Sequence, residues 1–164
     1  MNSKNKKLKI AIAGLGFGKK VHLEALKDSD YLTPVAIYHY DKRQKSILEQ
    51  DTGLEFFHNW EDLVKSQEID GIIIATPPES RFKLAKQALE NNKNLLLEKP
   101  VSISSSEIEE LQRISLINNL SVCVDFEYRA VPLFLQTKKL IDENILGEPS
   151  QHFLSHMNRK QNLK

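Results

Sequence analysis

Short apolar runs separated by stretches with helical spacing constrain the fold of this chain more than any other feature. The runs are not alternating, which is typical of strands that are buried on both faces of a parallel sheet. Segments of ten or more residues with a helical pattern lie between them, so right-handed crossovers and a doubly wound α/β layer are predicted. The runs occupy residues 8 to 13, 34 to 39, 71 to 76, 94 to 97 and 121 to 126.

Three of the intervening segments carry an apolar stripe, and such stripes are expected to cover a face of the sheet. Two helix starts are also predicted, a capping box made by Ser104 and Glu107, and a cap by Asn59 on a short helix from Trp60 to Lys65. The stripes are Val21, Leu23 and Leu26; Phe82, Ala85 and Leu89; and Ile108, Leu111, Ile114 and Ile117.

Composition indicates a soluble globular protein of about one domain. The chain has 164 residues, 40% of them apolar and 27% charged, which suits a core with a solvated surface. The 23 Lys and Arg against 22 Asp and Glu disfavour nucleic acid or an anionic membrane as a partner. Cys123 is the sole cysteine, which excludes an internal disulfide and favours a reducing cytoplasm. Because it lies in an apolar run, we expect it to be buried.

A glycine turn joins the first predicted strand to the first predicted helix. In this context a dinucleotide pyrophosphate lies on the helix amino terminus, with Gly14 allowing the turn and Gly16 the close approach of the backbone. Lys19 stands where the usual third glycine would be, and Gly18 comes one residue early. We therefore expect looser packing of helix on strand, and an added charge near the phosphates. The alternative is a glycine turn that binds no nucleotide.

The end of the second predicted strand bears on the choice of cofactor. An acid at this tip would bind the ribose hydroxyls of NAD, but the tip falls on His39 or Tyr40. The first acid, Asp41, begins the next turn, where it is expected to cap a helix, and Lys42 and Arg43 follow it. A missing acid beside two cations favours NADP, with NAD as the second choice.

Three further segments follow strands on the side where such sheets bind ligands. Lys99 stands out, because a lysine fixed at a strand tip can donate hydrogen bonds to a hydroxyl or carbonyl that is oxidised or reduced. On the residues alone, a surface ion pair beside a proline turn is the favoured alternative. The segments are Thr76-Pro77-Pro78, Glu98-Lys99-Pro100 and Glu127-Tyr128-Arg129.

No metal site is predicted, because no histidine has cysteine, histidine or carboxylate partners at metal-ligand spacing in the sequence. This holds for His22 on the first helix and for the histidines His58, His152 and His156.

In this order, the segments IAIAGLGFGKKVH, GIIIATPP, LLLEKP, FEYR and LGEP resemble the glucose-fructose oxidoreductase and inositol 2-dehydrogenase family, over roughly residues 8 to 157. The EKP segment is the most specific of them. The resemblance implies an NAD(P)-binding Rossmann domain. In whole members of the family it is followed by a second α/β domain that encloses the substrate and supplies a catalytic histidine.

The resemblance also implies roles for single residues. The turn at Gly14, Gly16, Phe17 and Gly18 would hold the pyrophosphate, and Lys99 would be the catalytic lysine that contacts cofactor and substrate. His39 and Tyr40 would meet the adenosine ribose, Thr76 and Pro77 would line the dinucleotide, Glu98 would belong to the lysine motif, and Arg129 would lie near the nicotinamide. Pro100 would follow a cis peptide bond. Arg81 departs from the family, because many members have histidine there.

Residues 1–7, with their lysines, are predicted to be a disordered basic arm. The resemblance implies the Rossmann domain at 8–149 and the start of a further α/β domain at 150–164. The last predicted helix, beyond Pro132, would stop at Gly147-Glu148-Pro149. A strand-like piece from Gln151 to Met157 would either fray or pair with the same segment of another chain, giving a homo-oligomer. No residue here matches the family's catalytic histidine.

The leading hypothesis is the cofactor-binding domain of an NAD(P)-dependent oxidoreductase that acts on a sugar, a polyol or a related hydroxyl or carbonyl compound. We expect it to be inactive without the further domain. A non-catalytic NAD(P)-binding sensor or scaffold module is the alternative. A doubly wound domain for another nucleotide, such as a methyl donor, is a third reading.

Overall fold

The computed structural model describes residues 6–145, which form two compact units, 6–125 and 126–145. The predicted arm lies outside this range except for its last two residues, as do the predicted helix stop at Gly147 and the strand-like piece from Gln151 to Met157. Among the residues described, no helix is both long and apolar enough to cross a membrane.

The first unit is built on a parallel sheet of six strands in the order β3-β2-β1-β4-β5-β6, with helices between the strands. The predicted doubly wound α/β fold is confirmed. β1 and β5 have the predicted bounds, whereas β3 was not among the five predicted strands. The strands are β1 (Leu8–Ala13), β2 (Leu32–Tyr38), β3 (Glu55–Phe57), β4 (Gly71–Ile74), β5 (Asn94–Leu97) and β6 (Val122–Val124).

The helices connect these strands and continue into the second unit. A π-helical turn, Gly18–His22, leads into α1 (Leu23–Lys27), and a 3₁₀ turn, Lys42–Gln44, leads into α2 (Lys45–Thr52). The others in the first unit are α3 (Trp60–Lys65), α4 (Pro78–Glu90) and α5 (Ser105–Ile117), and the second unit holds a 3₁₀ turn (Glu127–Ala130) and α6 (Pro132–Asp142).

The sheet separates two sets of buried side chains, because neighbouring residues of a strand point to opposite faces. On one face, Ala11 and Ala13 of β1 belong to a large cluster with residues of α3, α4 and α5. On the other, Ile10 and Ile12 pack with Leu23 and with residues of the neighbouring strands. β1 is thus apolar on both faces, as its sequence predicts.

The helix stripes are partly confirmed. Leu111 and Ile114 are buried, but Val21 and Ile117 are 43% and 68% exposed. Val21 lies in the π-helical turn, where the spacing of residues around the axis differs from that of an α-helix, and Ile117 is the last residue of α5. An apolar residue at a helix end is less constrained to face the sheet than one in its middle.

Asn59 caps α3 as predicted, since its side chain accepts a hydrogen bond from the Glu61 N–H. The capping box at α5 is wrong: Ser104 is the N-cap residue but makes no capping hydrogen bond. Glu107 instead accepts a hydrogen bond from the Ser102 hydroxyl.

Cys123 is exposed, so the prediction that it is buried is wrong. β6 pairs only with β5 among the described strands, and its three residues have intermediate, exposed and intermediate burial. The apolar run at 121–126 predicted a strand that is covered on both faces. β6 instead lies at the edge of the sheet, where the Cys123 side chain is accessible.

Candidate functional site

A cavity of about 720 Å³ opens where β1, β2 and β4 end. These strands are neighbours, and the chain leaves β1 for β2 on one side and later returns to β4 on the other. Such a switch point is where open α/β sheets bind ligands, and the volume suits a small molecule. Six of the predicted site residues line the cavity: Gly14, Gly16, His39, Tyr40, Thr76 and Pro77.

The glycine turn follows β1 directly, and its first two glycines have different reasons to be there. Gly14 has φ +121°, and a Cβ on it would lie 2.5 Å from the Ala75 carbonyl oxygen. A side chain is therefore excluded by both backbone conformation and space. A Cβ on Gly16 would meet nothing within 4 Å. Gly16 thus leaves open space in the cavity wall, where a ligand can approach the backbone.

Gly18 packs the helical segment closely against the sheet. A Cβ there would lie 3.1 Å from Ile12 Cγ2 and 3.2 Å from the Ala75 Cβ. The prediction of looser packing at this point is therefore wrong, because Gly18 supplies the close approach although it comes one residue early. Lys19 is ion-paired with Asp51 of α2. Gly18 and Phe17 are not among the residues that line the cavity.

His39 and Tyr40 follow β2 and form part of the cavity wall, with ring centroids 4.5 Å apart. The Asp41 N–H donates to His39 Nδ1 at 3.3 Å. A neutral imidazole that accepts at Nδ1 carries its proton on Nε2, so we assign this tautomer to His39. The ring then keeps one N–H donor for a hydroxyl or a phosphate oxygen.

Asp41 caps the turn that leads into α2, as predicted. Its carboxylate accepts the Arg43 N–H at 3.0 Å and binds the Arg43 guanidinium through contacts of 2.8 to 3.0 Å. These hydrogen bonds lower the pKa of Asp41 from 3.8 to about 2. The charge of Arg43 is thereby balanced within the turn. Lys42 has no ion pair with another described residue, and neither cation lines the cavity.

Thr76 and Pro77 form the wall at the end of β4, and Pro77 precedes the first residue of α4. Thr76 Oγ1 is buried, and no hydrogen-bond partner for it is present among the described residues. A buried hydroxyl without a partner is uncommon in folded proteins. This atom therefore suits a polar group of a bound ligand.

The Glu98-Lys99-Pro100 turn follows β5, and the Lys99–Pro100 peptide bond is cis, as the resemblance implies. Glu98 is buried, and its Oε2 accepts the Lys99 N–H at 3.2 Å. Neither Glu98 nor Lys99 lines the cavity of the glycine turn. Arg129 lies in the second unit, in the 3₁₀ turn Glu127–Ala130, where its N–H donates to the Phe126 carbonyl at 2.8 Å.

Sequence analysis missed the partners of His22. This buried residue places Nε2 at 2.8 Å from Glu98 Oε1 and 3.7 Å from Asp125 Oδ2. The three ligand-type atoms lie within 4.8 Å of one another, although no carboxylate stands at metal-ligand spacing from His22 in the sequence. Spacing along the chain does not reveal such a cluster, because the sheet brings the ends of β5 and β6 beside the helical segment after β1. The arrangement is explained by hydrogen bonding of imidazole to carboxylate.

Arg81 is the other functional candidate that sequence reasoning did not place in the site. It lies on α4 and is 3% exposed, and its guanidinium donates to the carbonyl oxygens of Thr76, Glu98 and Pro100. Its departure from the family's usual histidine was the one signal in the sequence.

Comparison with known proteins agrees with this geometry. An uncharacterized oxidoreductase of Synechocystis, sll0816, is 33% identical over 147 residues, which cover 89% of this chain and 40% of that protein. Glucose-6-phosphate 3-dehydrogenase of Bacillus subtilis is 29% identical over 139 residues, 85% of this chain and 39% of that enzyme. The solved structure of scyllo-inositol dehydrogenase from Lactobacillus casei with NAD(H) and scyllo-inositol matches with a TM-score of 0.80 at 25% identity, covering 87% of this chain and 43% of that one.

The chain therefore spans about two fifths of the length of these relatives. A family model described as an oxidoreductase family with an NAD-binding Rossmann fold matches residues 8–126. This range contains the whole six-stranded sheet, the glycine turn and the Glu98-Lys99-Pro100 turn. The family expected from the sequence is thus confirmed, and the chain belongs to the oxidoreductase family GFO_IDH_MocA, of which it holds the NAD-binding Rossmann fold.

Proposed function

We propose that the cavity at the glycine turn binds a nicotinamide dinucleotide for the oxidation or reduction of a sugar, a polyol or a related hydroxyl or carbonyl compound. The observation that carries the proposal is the pairing of two features at one switch point. Gly16 leaves open space beside the backbone, and Thr76, another residue of the cavity wall, has a buried Oγ1 with no hydrogen-bond partner among the described residues. Both features suit a ligand that is polar along its length.

Each part of the cavity would hold a different part of the dinucleotide. The Gly14–Gly16 turn would lie against the pyrophosphate, because only glycine allows a phosphate this close to the backbone. His39 and Tyr40 would meet the adenosine ribose, with His39 Nε2–H as donor. Thr76 and Pro77 would line the dinucleotide further along the wall. When bound, the cofactor supplies or accepts the hydride at C4 of its nicotinamide ring.

Lys99 would act on the substrate. Its ammonium Nζ would donate a hydrogen bond to the oxygen of the carbon that is oxidised or reduced, and this bond would polarise a carbonyl that receives the hydride. The Glu98 and Pro100 carbonyls on either side of Lys99 accept hydrogen bonds from Arg81. The backbone of Lys99 therefore has a defined position from which its side chain extends.

A sugar or polyol substrate is proposed from the relatives. One is named for a dehydrogenation of glucose 6-phosphate, and another was solved with scyllo-inositol. Both substrates are rings of adjacent hydroxyl-bearing carbons. Because the chain spans about two fifths of these proteins, the substrate and the complete reaction are proposals for this chain.

For the cofactor, we propose NADP first and NAD second. No acid stands at the tip of β2, and Asp41 has its charge balanced by Arg43. Lys42 then leaves the turn with a net positive charge, which attracts a 2′-phosphate.

The binding proposal is tested by calorimetric titration of the 164-residue chain with NADPH and NADH. Gly16→Val should weaken binding of both, because its branched side chain fills the space meant for the pyrophosphate. Ser46→Val, an exposed substitution on α2, is the control and should bind as the unchanged protein does. Saturating cofactor, at about 100 times its Kd, should add about 2.7 kcal/mol of stability in thermal unfolding. Equal affinities for Gly16→Val and the unchanged chain would contradict the proposal.

The cofactor preference is tested with Lys42→Gln in the same titrations. The substitution should weaken NADPH more than NADH, and the difference should shrink at high salt because charges on an exposed turn are screened. Tighter binding of NADH by the unchanged chain would reverse the assignment while leaving the dinucleotide site intact.

A further inference from the structure

Arg81 makes three hydrogen bonds, and all of its acceptors are backbone carbonyls of turns at the ends of strands. Nη1 donates to the Glu98 carbonyl at 2.5 Å and also to the Pro100 carbonyl. Nη2 donates to the Thr76 carbonyl. Two of the acceptors belong to the residues immediately before and after Lys99, and the third belongs to Thr76, which lines the cavity.

Burial of the Arg81 guanidinium has a cost in free energy that its hydrogen bonds must offset. Burial lowers the pKa of the Arg81 guanidinium, and the nearby Glu98 carboxylate opposes that change. Nε is buried with no partner among the described residues, so compensation for burial comes from the two terminal nitrogens. Those nitrogens are held in one rigid plane, and the three carbonyls are therefore fixed relative to one another. We call the two terminal nitrogens and their three hydrogen bonds the Arg81 fork. A lysine at this position has a single side-chain nitrogen and cannot reproduce the fork.

We infer that Arg81 is a positioning residue for Lys99, holding the peptide groups on either side of it and tying them to the cavity wall at Thr76. The inference rests on the proposed function, in which Lys99 serves the substrate and Thr76 the dinucleotide. Because Arg81 bonds both segments, the backbone of the turn that carries Lys99 is already oriented when a ligand binds beside Thr76. Substitution of Arg81 releases the two turns from each other while leaving β4 and β5 paired.

A purely structural role would look different in solution. If Arg81 only filled space between α4 and the sheet, its replacement would lower global stability and leave the surroundings of Lys99 unchanged in the folded protein. If it positions the turn, the Lys99 side chain changes its environment in protein that is still folded. The two roles are separated by a signal from Lys99 itself.

The experiment follows the lysine side-chain Cε–Hε resonances of the chain labelled with ¹³C-lysine, with Lys99→Arg used to assign the Lys99 signal. Arg81→Met removes the fork, and Arg81→Lys keeps the charge without the geometry. Arg113→Met is the matched control, because Arg113 lies exposed on α5 and pairs with Glu110 of the same helix. Circular dichroism and thermal unfolding report whether each variant is folded.

In both Arg81 variants, we expect the Lys99 resonance to move toward the position of an unstructured lysine, while Arg113→Met leaves it in place. NADPH affinity should fall by up to about tenfold in Arg81→Met, because the Thr76 wall loses the hydrogen bond that holds its carbonyl.

A folded Arg81→Lys or Arg81→Met protein with an unchanged Lys99 resonance would overturn the inference. Loss of the fold in every Arg81 variant would overturn it too, because the guanidinium would then support the fold as a whole. Failure of the unchanged chain to bind either dinucleotide would contradict the proposed function alone, since the Lys99 resonance of the free protein still tests the positioning.

Discussion

His22 Nε2 lies 2.8 Å from Glu98 Oε1, and both side chains are buried although 76 residues separate them in the chain. The contact joins the helical segment after the glycine turn to the turn that carries Lys99. A buried carboxylate needs hydrogen-bond donors, and Glu98 receives them from His22 and from the Lys99 N–H. The helical segment that follows the glycine turn and the Glu98-Lys99-Pro100 turn are thus held together by this contact.

His22→Ala should therefore destabilise the protein by about 2 kcal/mol, because Glu98 loses a donor and stays buried. His22→Gln keeps an N–H donor, so it should lower the free energy of unfolding by less than His22→Ala does. His58→Ala is the matched control, since His58 is exposed, and it should change the free energy of unfolding by less than ~0.5 kcal/mol. Urea unfolding at pH 7 measures all three. Equal effects of the His22 and His58 substitutions to alanine would show that the buried contact contributes nothing.

Gly14→Ala should lower the free energy of unfolding by about 2 kcal/mol or more, from backbone strain and from collision of the new Cβ with the Ala75 carbonyl oxygen. Gly53→Ala separates these causes. Gly53 also has positive φ, +69°, but a Cβ there meets nothing within 4 Å. Gly53→Ala should lower the free energy of unfolding clearly less than Gly14→Ala does in the same denaturant titration. A Gly53 variant as unstable as the Gly14 variant would show that the close contact at Gly14 is unimportant.

The pKa of Asp41 gives a prediction about pH. It is about 2 in the folded protein, below the ordinary 3.8, so the carboxylate stabilises the fold above about pH 4 and loses that effect as the pH falls toward 2. Arg43→Gln should raise the pKa part of the way toward 3.8, because the N–H of residue 43 still donates to the carboxylate. Carboxyl ¹³C resonances followed from pH 6 to 1.5 measure the shift. A pKa that stays at about 2 in the variant would assign the effect to the backbone alone.

Cys123 should react with a maleimide in the folded protein at a rate within a few-fold of that in urea, because its side chain is exposed on β6. Single-time-point mass spectrometry of native and denatured samples measures the modified fraction. Protection of the native thiol by orders of magnitude would mean that this face of β6 is covered in solution.

Local patterns predicted much of the first unit. The β1 and β5 segments are apolar without alternation, and in both cases the strand has the predicted bounds. Asn59 and Asp41 act as caps because capping depends only on a side chain and the N–H groups two or three residues further on. β3 escaped prediction because Glu55–Phe57 is too short for a pattern to be recognised.

The parts that the sequence did not reveal depend on contacts between distant segments. The sequence around Arg81 is that of an ordinary charged residue on a helix surface, yet Arg81 bonds three carbonyls from two turns and is the most buried of the described charged residues. His22 likewise finds its carboxylates only through the order of strands in the sheet. The ion pair of Lys19 with Asp51 and the exposure of Cys123 likewise depend on how distant segments are placed in the fold, and local sequence does not reveal them.

The division of the buried side chains by the sheet has a thermodynamic consequence. Ile12 and Ile74 belong to different clusters on opposite faces, although β1 and β4 are neighbours. Substitutions that shorten these side chains share few contacts, so their effects on the free energy of unfolding should nearly add. The two faces can therefore accumulate sequence changes independently, while the strand ends that carry the cavity remain tied to the backbone common to both.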